Sequence, residues 1–161
     1  MKYLPKAFLE EIYFKTIIPS VTYCLAAWGS CSESIFQNIE KIHVRAAKII
    51  HGITSDNTDE DILRKAKWDA ISYLYKRKLL IIMQNSHLQR LPDRICDLFD
   101  KCENTKRHLR SGTKFNVPEY RTEAGRNSIR YRGPLLWNTL REDQKEKTID
   151  SFKRSIGKFR E

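Results

Sequence analysis

The stretch from Ser34 to Ile53 constrains the fold more than any other part of this chain. Ile35, Ile39, Ile42, Ala46, Ile49 and Ile53 recur at alternating spacings of four and three, which gathers them on one stripe of an α-helix. Ser34 and Gln37 precede the stripe in a capping-box pattern, and Gly52 supplies a stop. Lys41, Arg45 and Lys48 follow the same helical spacing on the other face. One helix is thus expected to pack through its apolar side and to offer a row of cations with the other. Such a row suits contact with backbone phosphates. A solvated face without a partner would show the same spacing.

The segments on either side also read as helices. Pro5 suits a first helical turn, and Phe8, Ile12 and Thr16 follow at helical spacing with Leu9 and Phe14 beside them. Pro19 predicts a kink or a break, after which Val21, Leu25 and Trp28 continue toward a stop at Gly29. Asn57 and Thr58 are capping candidates for a short helix through Ile62, Leu63 and Ala66, ending near Trp68. Asp69 or a neighbour is placed to cap a longer helix lined by Ile71, Leu74, Tyr75, Lys78, Leu79, Ile82 and Met83, which ends before Pro92. Residues 93–100 allow at most two more turns.

From Thr105 to Gly133 the apolar period fades. Arg107, Arg110, Lys114, Arg121, Arg126, Arg130 and Arg132 alternate with Phe115, Tyr120 and Tyr131, punctuated by Gly112, Pro118, Gly125 and Gly133. This predicts an irregular basic segment with room for short β-strands, Ser128 to Arg132 being the best candidate. Pro134 is then expected to open a short helix through Leu136, Trp137 and Leu140, with a last amphipathic segment from Phe152 to Phe159. The fold class is therefore mainly α: a helical bundle over 1–91 and a basic tail with short helices over 92–161.

Charge narrows the partners. Thirty Lys and Arg against twenty Asp and Glu leave a formal charge of +10 over 161 residues, more than solubility asks of a domain this size. An anionic partner such as nucleic acid follows, with an inert basic surface as the alternative. Cys24, Cys31, Cys96 and Cys102 lie far apart behind no secretory signal, so reduced thiols in an intracellular protein are expected, in nucleus or cytoplasm. The longest apolar run, Ile17 to Gly29, is interrupted by Pro19 and too short to span a bilayer, so no membrane association is expected.

The usual catalytic patterns are missing. Cys96, Cys102 and His108 have no zinc-ligand spacing, and His43, His51, His87 and His108 stand outside any nucleophile motif. No glycine-rich phosphate loop occurs. Neither a metal nor another cofactor is expected, and arginine, lysine and aromatic rings remain as the chemistry present.

Three segments resemble a known family. The run Ile17-Ile18-Pro19-Ser20-Val21-Thr22-Tyr23-Cys24-Leu25-Ala26-Ala27-Trp28-Gly29 resembles the segment that follows the polymerase palm in non-LTR retrotransposon reverse transcriptases of the jockey-like and chicken-repeat-like groups. The Gln37 to Gly52 helix is similar to the family's helix ending in Arg-x-Ile-x-Gly. The tail Arg126-Asn127-Ser128-Ile129-Arg130-Tyr131-Arg132-Gly133-Pro134-Leu135-Leu136-Trp137-Asn138 and the closing Phe152-Lys153 segment follow in the expected order. Lys48-Ile49-Ile50 departs from the family by lacking its usual Arg, and the palm with its Asp-Asp metal box falls outside the chain.

The resemblance implies a thumb-like region that holds a primer–template duplex, and it carries over no catalytic residue. The expected function is non-catalytic binding to RNA, DNA or an RNA–DNA hybrid through backbone phosphates. Lys41, Arg45 and Lys48 would act from the bundle, and Arg110, Arg126, Arg130 and Arg132 from the tail. Two alternatives stay open: a protein-interaction module using an exposed apolar face, and a decayed transposon fragment without a selected role.

Overall fold

Among residues 4–53, 57–102 and 114–156, which the computed structural model describes, nearly all regular structure is α-helical. The chain divides into two compact units, Met1–Tyr75 and Lys76–Glu161. The division falls inside one helix, Ile71–His87. A continuous helix has no composition change to mark such a boundary.

In the first unit, helix α1 (Lys6–Ile12) runs into a π-helical turn, Tyr13–Ile17, and then into α2 (Ile18–Thr22). Pro19 lies in the first turn of α2. The wider turn before it tolerates the missing N–H, so the helical path passes Pro19. The break comes later, where Tyr23 is extended and Cys24 takes a left-handed φ of 49°. Trp28, in the short α3 (Leu25–Trp28), closes this bend by donating from Nε1 to the carbonyls of Val21 (3.2 Å) and Tyr23 (3.0 Å). Gly29 follows because a Cβ there would sit 2.6 Å from the Tyr75 ring.

Helix α4 (Glu33–His51) begins before the expected capping box: Ser32 is its N-cap and makes no side-chain cap bond. Gly52, at φ 62°, ends it as expected. Its buried residues are Phe36, His43, Val44 and Ala47, whereas Ile35, Ile42 and Ile49 are 54%, 67% and 70% exposed. The isoleucine stripe is therefore not the core face. The helix has a second, less hydrophobic side whose small and aromatic residues fit against Tyr13, Trp68 and helix α5 (Asp59–Ala66). Ala46, Ile50 and Ile53 are half-buried at the edge of that core. Thr58 caps α5 through a bond from the Asp61 amide (3.2 Å), and Ile62, Leu63 and Ala66 are buried, all as the local pattern predicts.

His43 organises this core. Its Nε2 is 3.1 Å from the Asp69 carbonyl, which only accepts, so Nε2 carries the proton and Nδ1 accepts from the Tyr13 hydroxyl at 2.7 Å. Trp68 stacks on Tyr13 with centroids 4.7 Å apart and donates from Nε1 to Glu10 (2.9 Å). Burial, with a smaller effect from Glu40, pushes the Tyr13 hydroxyl up to about 12. Burial also lowers the His43 pKa, against a weaker opposing effect of Asp69.

The sign of the resulting pH dependence follows directly. Below the ordinary value of about 6.5 the unfolded histidine takes up a proton that the folded one resists, so stability falls as pH drops through that value. Denaturant unfolding from about pH 7 to 5.5 is expected to show this loss, with a flatter curve for His43→Gln. Equal slopes for the two proteins would contradict the buried neutral histidine.

At the start of helix α6 (Ile71–His87) two backbone amides are held by a side chain of α4. The Ile71 and Ser72 amides each donate to the Glu40 carboxylate at 3.0 Å. Burial raises the Glu40 pKa, and these two bonds oppose the rise. Leu79 and Met83 are buried as expected, while Lys78 is exposed and Gln84 is buried.

The second unit packs around Leu80, Met83, Phe99, Phe115, Trp137, Phe152 and Ile156. After the single turn α7 (Asp93–Cys96) the sole β-pairing among the described residues is a bridge between Lys101 and Phe115. Of the strand expected at Ser128–Arg132, Ile129 to Arg132 are helical and Ser128 is the extended N-cap before them. After α8 (Glu123–Asn127), helix α9 (Ile129–Asn138) holds Pro134 in its interior instead of at its start.

The buried positions of α9 explain that difference, because Gly133, Pro134 and Trp137 form its inner face. A Cβ on Gly133 would lie 2.9 Å from the Met83 sulfur. Asn138 at the end of α9 satisfies both backbone groups of Phe115: Nδ2 donates to its carbonyl (2.8 Å), and its amide donates to Oδ1 (3.1 Å). Helices α10 (Glu142–Lys145) and α11 (Ile149–Ile156) complete the unit, with Phe152 and Ile156 buried.

Candidate nucleic-acid interface

The cation row lies along α4, away from the buried residues of that helix. Lys41 and Arg45 are exposed, and Lys48 is half-buried with Nζ 3.9 Å from an Asp59 carboxylate oxygen. At about 1.5 Å rise per residue the three charges extend along roughly 10 Å of helix. The exposed Ile35, Ile42 and Ile49 flank the row on the same helix, so the outer side of α4 is apolar as well as basic. The sequence alone does not show that combination, because the periodicity points the isoleucines into the core.

The tail arginines divide between surface and packing. Arg126 and Arg130 are exposed. Arg132 is half-buried and donates from Nη2 to Oδ1 of the buried Asn127 at 2.6 Å. Arg126 donates from Nε to the Tyr120 carbonyl at 3.1 Å. Arg110 lies outside the described residues.

Much of the tail motif that carries the family resemblance is thereby given a structural task. Asn127 anchors Arg132, Ser128 donates to the Gly125 carbonyl (2.6 Å), Gly133 admits Met83, Trp137 fills the core and Asn138 holds Phe115. The exposed residues of the motif are Arg126, Arg130 and Leu135.

No group of three His, Cys, Asp or Glu side chains among the described residues is placed to hold a metal ion. All four cysteines are free thiols, Cys24 and Cys102 exposed and Cys31 and Cys96 half-buried. No helix among the described residues is long and apolar enough to cross a membrane.

No family model, curated protein or solved structure matches this chain. What the surface offers is chemical: guanidinium and ammonium groups aligned on helices, which recognise phosphate by charge and by N–H donation.

Proposed function

We propose that this chain is a non-catalytic fragment of a retrotransposon-type RNA-directed DNA polymerase that binds RNA or an RNA–DNA hybrid through backbone phosphates, without sequence preference. The observation that carries this reading is the row Lys41, Arg45 and Lys48, the first two exposed and the third half-buried, on a helix whose opposite side is anchored in a core. Rigid support keeps three cations in register, which a loop would not do. The net charge of +10 supplies long-range attraction to a polyanion. The family resemblance adds the expectation of a thumb-like contact with a duplex. Fluorescence anisotropy of the purified chain with an RNA–DNA hybrid tests the reading, and absence of binding at low salt would defeat it.

A second reading, a protein-interaction surface, is favoured by a specific observation. Ile35, Ile42 and Ile49 repeat every seven residues on the exposed side of α4, the spacing at which one helix meets another. Exposed apolar rows of this length commonly mark association sites. An Ile42→Gln/Ile49→Gln variant is expected to keep its stability within about 0.5 kcal/mol. Under the second reading it also loses any self-association detected by sedimentation of the unmodified chain. A monomeric parent protein would remove self-association as the use of this stripe.

A further inference from the structure

A cleft of about 570 Å³ opens in the second unit between the segment 117–121 and helices α8 and α9. Its walls include Val117, Pro118, Tyr120, Arg121, Arg126 and Tyr131. The volume lies in the range of small-ligand pockets, and the lining pairs aromatic rings with cations. Among the described residues, Glu119 is the one acid in its lining.

The parts of this cleft are held in place. Tyr120 lies against bare backbone: a Cβ on Gly125 would be 2.6 Å from its ring. The bond from Arg126 Nε to the Tyr120 carbonyl fixes that guanidinium beside the ring and leaves its two terminal nitrogens as donors. Arg121 is exposed, and neither arginine is in an ion pair among the described residues. The Tyr120 and Tyr131 rings meet edge to face, with centroids 6.4 Å apart and planes at 64°. A flat ligand would therefore stack on one ring and meet the edge of the other, since there is no parallel slot between them.

We propose that this cleft is a binding site for a single unpaired nucleotide, its base stacked on a tyrosine face and its phosphate held by Arg121 and Arg126. The inference rests on the nucleic-acid reading above and deepens it, by adding to the duplex-facing row on α4 a place for single-stranded nucleic acid. Aromatic faces accept any base, so the site is sequence-tolerant. Glu119 adds an acceptor suited to an exocyclic amino group. A base inside a duplex has both faces covered by its neighbours and cannot enter.

The test uses the full chain and a short single-stranded RNA carrying 2-aminopurine, whose fluorescence is quenched on stacking, with AMP and an RNA–DNA hybrid as further probes. Tyr131→Leu and Arg121→Gln are each expected to weaken single-strand binding roughly tenfold and to leave hybrid binding unchanged. The exposed Arg121 can be replaced without disturbing the fold, and circular dichroism monitors Tyr131→Leu. Quenching by the parent protein that is lost in both variants supports the site. Saturation by AMP as tight as by the oligonucleotide also supports it and names a free nucleotide as the occupant. Unaltered single-strand affinity in both variants overturns the cleft while the α4 reading stands. Failure of the parent chain to bind hybrid and single strand alike overturns both.

Discussion

Replacing Trp137 with alanine is expected to cost about 3–5 kcal/mol of stability. The indole is fully buried, meets Phe115 edge to face at 5.9 Å, and lies 6.0 Å from the Phe152 centroid and 5.5 Å from His87. It also covers the buried Lys145 ammonium, which sits 6.0 Å from the ring centroid and pairs with Glu142 at 3.0 Å. Truncation would open a cavity and strip one side from a buried charge, and both effects destabilise. Against a total near 5–15 kcal/mol for a domain, this is a large share. Urea unfolding followed by circular dichroism measures it, with Trp137→Phe expected to lose much less. A loss below about 1 kcal/mol for the alanine variant would contradict a core built on this ring.

Neutralising the α4 row is the second large effect. Lys41→Gln, Arg45→Gln and Lys48→Gln together are expected to weaken hybrid binding on the order of 100-fold at low salt. Lys48 should contribute least, because its charge is already partly neutralised by Asp59. That pair is too long and too exposed to stabilise the fold appreciably, so unfolding of the triple variant should differ little from the parent. Weakened binding with unchanged stability separates a phosphate contact from a packing role.

The helical class was legible because strong local signals agree with the global fold. Thr58 capping α5, Gly52 ending α4, and Ile62, Leu63 and Ala66 facing inward all depend on neighbours a few residues away. What the sequence concealed depends on distant partners. Two amides at the start of α6 are held by Glu40, thirty-one positions before Ile71. The choice of core face on α4 turns on His43, whose burial requires Tyr13 and the Asp69 carbonyl. A hydrophobicity pattern prefers Ile35, Ile42 and Ile49 and has no term for a histidine satisfied on both nitrogens.

The tail looks irregular in sequence for a related reason. The inner face of α9 is built from Gly133, Pro134 and Trp137, two of which carry no hydrophobic signal and ordinarily argue against a helix. Close approach of Met83 gives the glycine its purpose, and this shows only once the two segments are seen together. Within the candidate site, the α4 row was readable from spacing alone. The cleft was half readable: Tyr120 and Tyr131 stood out as aromatics among arginines, while their convergence with Arg121 and Arg126 depends on the turn before α8.

Whether the cation row on α4 engages backbone phosphates is tested most directly by the salt dependence of binding. Anisotropy of the full chain with an RNA–DNA hybrid, repeated across a salt series, gives the slope of log affinity against log salt. The account predicts a steep negative slope for the parent chain, shallower by about two to three units in the Lys41→Gln/Arg45→Gln/Lys48→Gln variant. Equal slopes in the two proteins, or no binding by the parent at low salt, would contradict it.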